Sequence, residues 1–124
     1  MLGRSIPLLH VGRMADAWRI YVDQLGFAVH SEVRADDALP DPAYLVVQRD
    51  DAVLHLSSFS GDGVSGHVAT ILAADVDALH AEFIAKGAAI RMPPTDQTWG
   101  TRELYVEDAD GNSLRFQQLL HGPS

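Results

Sequence analysis

Hydrophobic positions along this 124-residue chain fall into short runs and one-sided stretches that recur in the same order. Ile6–Val11 is a short apolar run and predicts a strand. Met14, Ala17, Trp18, Tyr21, Val22 and Leu25 then return at helical spacing on one face, and Gly26 stands where a helix-ending glycine belongs. Phe27–Arg34, Ala43–Gln48 and Val53–Phe59 predict strands. The polar, proline-bearing stretch 36–42 predicts a loop, and Arg49–Ala52 a tight turn. Residues 60–66, rich in Gly and Ser, predict a linker.

Past the linker the order restarts. His67–Ala73 predicts a strand. Asp75 can cap a helix that turns Val76, Leu79, Phe83 and Ile84 inward, with Gly87 closing it. Ala89–Met92 predicts a short strand, Pro93–Thr98 a loop, and Arg102–Glu107 with Ser113–Leu119 a final hairpin. Asp110-Gly111-Asn112 supplies the hairpin's turn, because a positive φ costs Gly little and is tolerable for Asn or Asp. Gly26 and Gly87 lie 61 residues apart, and at that offset Val11 aligns with Leu72, Trp18 with Leu79, Val22 with Phe83 and Val29 with Ile90. The chain therefore reads as one domain, 1–124, of α+β class, built from two tandem βαβββ modules at about 5–59 and 67–120. Each module alone would leave one sheet face bare, so the two must pack together or close around a cavity.

Composition narrows the function classes. Hydrophobic residues make up 47% of the chain, enough for a packed core. No cysteine is present, which excludes a disulfide scaffold, a thiolate zinc site and a cysteine nucleophile, and fits a reducing cytoplasm. No apolar run approaches a membrane span, and residues 5–11 read as part of the fold rather than as a signal peptide. Seventeen acidic against nine basic residues give a net charge of −8, a field that repels nucleic acid and attracts cations. No basic patch with interleaved aromatics, phosphate loop or Ser-His-Asp order appears. Gly61-Asp62-Gly63 has no helix directly after it and is not a phosphate cradle.

Two stretches carry a family likeness: Leu25-Gly26-Phe27 after the first helix, and Trp99-Gly100-x-Arg102-Glu103 followed by Asp108-x-Asp110-Gly111-Asn112-x-Leu114-x-Phe116. With the paired modules, they resemble the vicinal oxygen chelate superfamily of glyoxalases, extradiol dioxygenases and bleomycin-resistance proteins, and within it the bleomycin-resistance-like branch. The likeness spans about Pro7 to Gln118. It implies a curved mixed sheet around a cavity and a homodimer. The enzymes of this superfamily hold a divalent metal with one inward ligand on each of four strands. Carried over, those positions fall on Ile6, His55, His67 and Arg115. Isoleucine cannot ligate, and a guanidinium stays protonated where the enzymes have a carboxylate. Glu103 and Glu32 are candidate substitutes.

His55 and His67 are thus expected to face the cavity, as ligand-facing groups, as core histidines, or as an acid–base pair. His10, His30, His80 and His121 have no pattern behind them, and packing or surface roles are the default. Trp99 is either a lid over the core or an aromatic wall for a planar or cationic ligand. Arg102 and Glu103 are adjacent on a strand and point to opposite faces. Arg115, if inward, needs a carboxylate or an anionic ligand, and Glu103 is a candidate partner across the hairpin. Phe59 and Tyr105 add aromatic surface. The expected function is small-molecule binding by sequestration, with no catalytic residue, metal or cofactor, and with a cationic or aromatic ligand as partner rather than nucleic acid or membrane. The alternative is a metal-dependent glyoxalase- or dioxygenase-type lyase or oxidoreductase with an atypical ligand set, His55 and His67 among its ligands.

Overall fold

The computed structural model describes residues 1–120, so His121 lies outside the described residues. Two four-stranded mixed sheets form in tandem. The first module contributes β1 (Leu8–His10), α1 (Met14–Ala17) running directly into a π-helical segment (Trp18–Gln24), β2 (Ala28–Arg34), β3 (Ala43–Arg49) and β4 (Ala52–Ser57). The second contributes β5 (Val68–Leu72), α2 (Val76–Ala85), β6 (Ile90–Asp96), β7 (Thr101–Glu107) and β8 (Ser113–Leu119). The strand orders are β1-β4-β3-β2 and β5-β8-β7-β6, with β1–β4 and β5–β8 parallel and the other pairs antiparallel. This is the βαβββ duplication that the pattern predicts.

Alternation along the strands decides which face each sheet buries. Leu9, Leu45, Val47, Leu54 and Leu56 of the first sheet join the core with Tyr21, Leu25 and Phe27. Leu104, Val106, Leu114 and Phe116 of the second do the same with Val76 and Phe83, and the Phe83 and Phe116 rings lie 5.3 Å apart. The opposite faces stay open. Val33, Val68, Leu72 and Leu119 on those faces are exposed apolar side chains.

The modules are tied together by two reciprocal latches between a hairpin turn and the other module's helical region. Tyr21 Oη donates to Asp108 Oδ2 at 2.7 Å, and Asn112 Nδ2 donates to the His10 carbonyl at 2.8 Å and to Asp108 Oδ2 at 2.9 Å. On the other side the Arg49 guanidinium meets both Glu82 oxygens, at 2.6 and 2.9 Å, and the Leu25 carbonyl at 2.8 Å. Burial and the Asp108 carboxylate both push the Tyr21 phenol up, which keeps it protonated as the donor.

Two expectations require correction. Pro93–Asp96 belongs to β6 rather than to a loop. The strand order puts β6 at the sheet's edge, so two prolines cost it no inward ladder bond, and the pairing with β7 shifts between Met92 and Thr95 to pass over them. The repeat offset is also not uniform. Gly26 and Gly87, both at positive φ (76° and 79°), do close the helical stretches at an offset of 61. Before them the offset is 62: Val11 and Ala73 donate equivalent bonds to Ser57 and Gln117, and the fully buried rings of Tyr21 and Phe83 correspond. The extra residue lies in the first module, where the Leu25 amide reaches five residues back to the Ile20 carbonyl at 2.9 Å. One inserted residue in a helix is accommodated by π winding.

Candidate functional site

The open face of the second sheet carries a built polar cluster. Glu103 is central to β7 and only 3% exposed. Its Oε2 accepts from Trp99 Nε1 at 2.8 Å, Thr101 Oγ1 at 2.6 Å and Gln117 Nε2 at 3.3 Å, and its Oε1 accepts from Tyr105 Oη at 3.0 Å. Burial pushes this carboxyl up, and the hydrogen bonds from Thr101, Trp99, Tyr105 and Gln117 together outweigh it and hold the pKa below the ordinary glutamate value. Burial, then the bond to Glu103, raises the Tyr105 phenol. The Trp99 indole is tied to Glu103 by its N–H while the residue remains 64% exposed, so an edge-anchored aromatic surface stays open to solvent.

Arg115 lies beside this cluster on β8, opposite Tyr105 on one side and Thr70 on the other. Its guanidinium carbon lies 4.7 Å from the centre of the Tyr105 ring, and its buried Nε has no hydrogen-bond partner among the described residues. The expected pairing with Glu103 across the hairpin does not form. The register sets Gln117 opposite Glu103 and Tyr105 opposite Arg115, and Glu103 is saturated by uncharged donors. Arg102 points the other way, to Asp77 at 2.9 and 3.0 Å and Asp96 at 2.9 Å, and its pKa is raised by those bonds. Its role is to tie α2 and β6 to β7.

His55 and Phe59 belong to the first module, and no hydrogen bond, ion pair or ring contact among the described residues joins them to the Glu103 cluster. His55 Nδ1 and Tyr44 Oη share a 2.6 Å hydrogen bond, with the rings edge to face at 5.3 Å. Burial raises the Tyr44 phenol and keeps it protonated. The bond occupies His55 Nδ1 whichever of the two groups donates. Phe59 follows the end of β4, half-buried, its amide donating to Ser57 Oγ at 3.1 Å.

His67 does not face the open side. It precedes β5, is exposed, and shares its alternation with the core-facing Ala69 and Ile71. Its amide donates to Asn112 Oδ1 at 3.0 Å, and its ring lies by the linker, where a Cβ on Gly63 would be 3.8 Å from Nε2. The inserted helical residue explains the misplacement: at the structural offset of 62, Ile6 corresponds to Val68, and His67 to Ser5. Tyr44, Thr101 and Gln117 were absent from the sequence-derived site. Tyr44 lies two residues before Val46, the partner of His55, and Gln117 lies two after Arg115, so strand alternation alone puts each on the right face.

A family model described as glyoxalase superfamily protein matches residues 1–122. The chain belongs to the glyoxalase superfamily. Among solved structures it is similar to a glyoxalase/bleomycin resistance protein from Streptomyces sp. CB03234, at 24% identity and TM-score 0.72 over 91% of this chain and 97% of that one. It is also similar to a bleomycin-binding protein complexed with bleomycin, at 20% identity and TM-score 0.72 over 94% and 98% of the two chains. TioX from Micromonospora sp. ML1 matches at 20% identity and TM-score 0.72 over 95% of this chain and all of that one. No curated protein matches the sequence. At these identities the structures establish a shared fold.

The superfamily's metal positions do not fit a metal in this member. Corrected for the inserted residue, they hold Ile6, His55, Val68 and Arg115: two hydrocarbons, one cation, and one imidazole already bonded to Tyr44. Glu103 is saturated by four donors, and Glu32 accepts from Arg34 Nε at 2.8 Å. Among the described residues no three His, Asp or Glu side chains converge on one point. Among the described residues no helix is long and apolar enough to cross a membrane.

Proposed function

We propose that this superfamily member binds a small molecule on the open face of its second sheet and acts by sequestration, without a catalytic residue and without a metal. The carrying observation is the Trp99 indole, anchored by Glu103 and exposed beside Tyr105. A rigid, edge-pinned aromatic surface binds a planar ligand with little ordering cost, which is what a sequestering protein needs. The bleomycin-binding relative, complexed with its drug, supports this class of activity. The bare apolar positions Val33, Val68, Leu72 and Leu119 support a homodimer in which a second copy covers the open faces and closes the cavity.

A thermal-shift series with bleomycin and with planar aromatic compounds tests the reading. A ligand held a hundredfold above its Kd stabilises the folded state by about 2.7 kcal/mol, so a true ligand raises the melting temperature progressively with concentration, and Trp99→Ala removes the rise. A divalent ion retained by the purified protein at one per chain, and lost on His55→Ala, would instead favour the metal-dependent enzyme.

A further inference from the structure

We propose that Arg115 is an anion anchor, and that the ligand of this site is an aromatic carboxylate or a molecule presenting an equivalent planar oxyanion beside its ring. The inference rests on the binding function proposed above and fixes the chemistry of what is bound. It also reverses the expectation from net charge that the ligand is cationic.

The polar groups of the cluster differ in what they have left to give. Glu103 is buried, and both of its oxygens accept from uncharged donors. It offers an incoming cation little. Arg115 is the reverse. Its Nε is buried with no acceptor, and no carboxylate among the described residues forms an ion pair with it. Glu107, the other acid that alternation puts on this face of β7, lies 3.8 Å from Arg91 Nε. A buried donor without an acceptor is rare and calls for a physical explanation, and an anion bound by the same guanidinium supplies one.

Geometry says which partner. The guanidinium lies against the Tyr105 ring, which restrains it while the phenol is itself tied to Glu103. Its terminal nitrogens form no hydrogen bond among the described residues and are not buried as Nε is, and this restrained planar pair matches the two oxygens of a carboxylate. Beyond Tyr105, and tied to the same Glu103, the exposed indole of Trp99 offers a stacking surface on this cluster. An aromatic ring on Trp99 with a carboxylate on Arg115 satisfies both. The net charge of −8 does not forbid this. Charges farther than about 8 Å are largely screened at physiological salt, whereas a desolvated two-point contact acts at hydrogen-bond range.

The test titrates the full chain with benzoate and, separately, with benzamide, its neutral isostere. Calorimetry gives the affinities, and NMR follows the Arg115 Nε–H and Trp99 Nε1–H resonances. Benzoate should bind roughly ten- to a hundredfold tighter than benzamide, as a charge-assisted pair predicts, and should shift both resonances in the unmodified protein. Arg115→Gln should erase that preference while benzamide still perturbs Trp99, and Arg115→Lys should restore part of it. Equal affinity for the two probes, a preference that survives Arg115→Gln, or an Arg115 resonance unmoved by bound benzoate would overturn the anchor and leave aromatic binding standing. Failure of both probes to bind at millimolar concentration would remove anchor and binding site together. Dissociation of a dimer on Arg115→Gln, with no change in probe preference, would assign the guanidinium to a second copy and overturn the proposal.

Discussion

Glu103 organises the open face of the second sheet because it accepts from Trp99, Thr101, Tyr105 and Gln117 at once. Its folded-state pKa lies below the ordinary glutamate value. A carboxyl depressed by folding lends stability that is fully present above its unfolded pKa and is lost as the pH falls through the lower folded value. Glu103→Gln should therefore melt below the unmodified protein at neutral pH, and the gap should close as the pH drops into that acid window. Thermal melts by circular dichroism across the range check this, and a gap independent of pH would mean that the charge plays no part. Arg115 shows the complementary case. Alternation with the core-facing Leu114 and Phe116 sets it on the opposite, open face, and its lack of a partner was not legible. That required knowing that Tyr105, rather than Glu103, is its cross-strand neighbour.

Among the elements, the first helical stretch explains most of the gap between sequence and structure. Periodicity finds both helical stretches and the glycines that end them, because apolar spacing and a positive-φ cap are local properties. Periodicity does not see one inserted residue, because α and π winding bring nearly the same side chains inward. The slip moved the expected third ligand from Val68 to His67. The edge position of β6 was equally invisible, since only strand order makes Pro93 and Pro94 harmless. The insertion predicts an asymmetry between the modules. Deleting exposed Asp23 should let the π segment rewind as α helix and leave the chain folded. Deleting Ala81 from α2 should turn Val76 and Phe83 about 100° out of register and unfold the second module. Urea denaturation of the two variants distinguishes them, and equal damage would argue against the slack assigned to the first module.

At the scale of the whole molecule, each sheet has one face buried against helices and one open, and the latches at Tyr21–Asp108 and Arg49–Glu82 hold the modules together without covering the open faces. A homodimer follows if a second copy covers them. Sedimentation equilibrium should give twice the chain mass, and Leu72→Glu should yield a monomer with an unchanged far-ultraviolet spectrum, since this side chain is 70% exposed and contributes little to the core. A monomer before substitution would remove the dimer from the proposal. The sequence by itself determined the duplicated βαβββ architecture, the superfamily, and the alternation that aims Glu103, Tyr105 and Arg115 at one face. The architecture and the alternation depend on local periodicity and turn chemistry, and the superfamily on the likeness of its motifs. Tertiary structure alone decided that Glu103 is saturated, that Arg115 is left with a free donor, and that His67 is turned away. Those outcomes depend on which side chains meet across strands and on a one-residue change in helical winding, neither of which is written in the spacing of apolar positions.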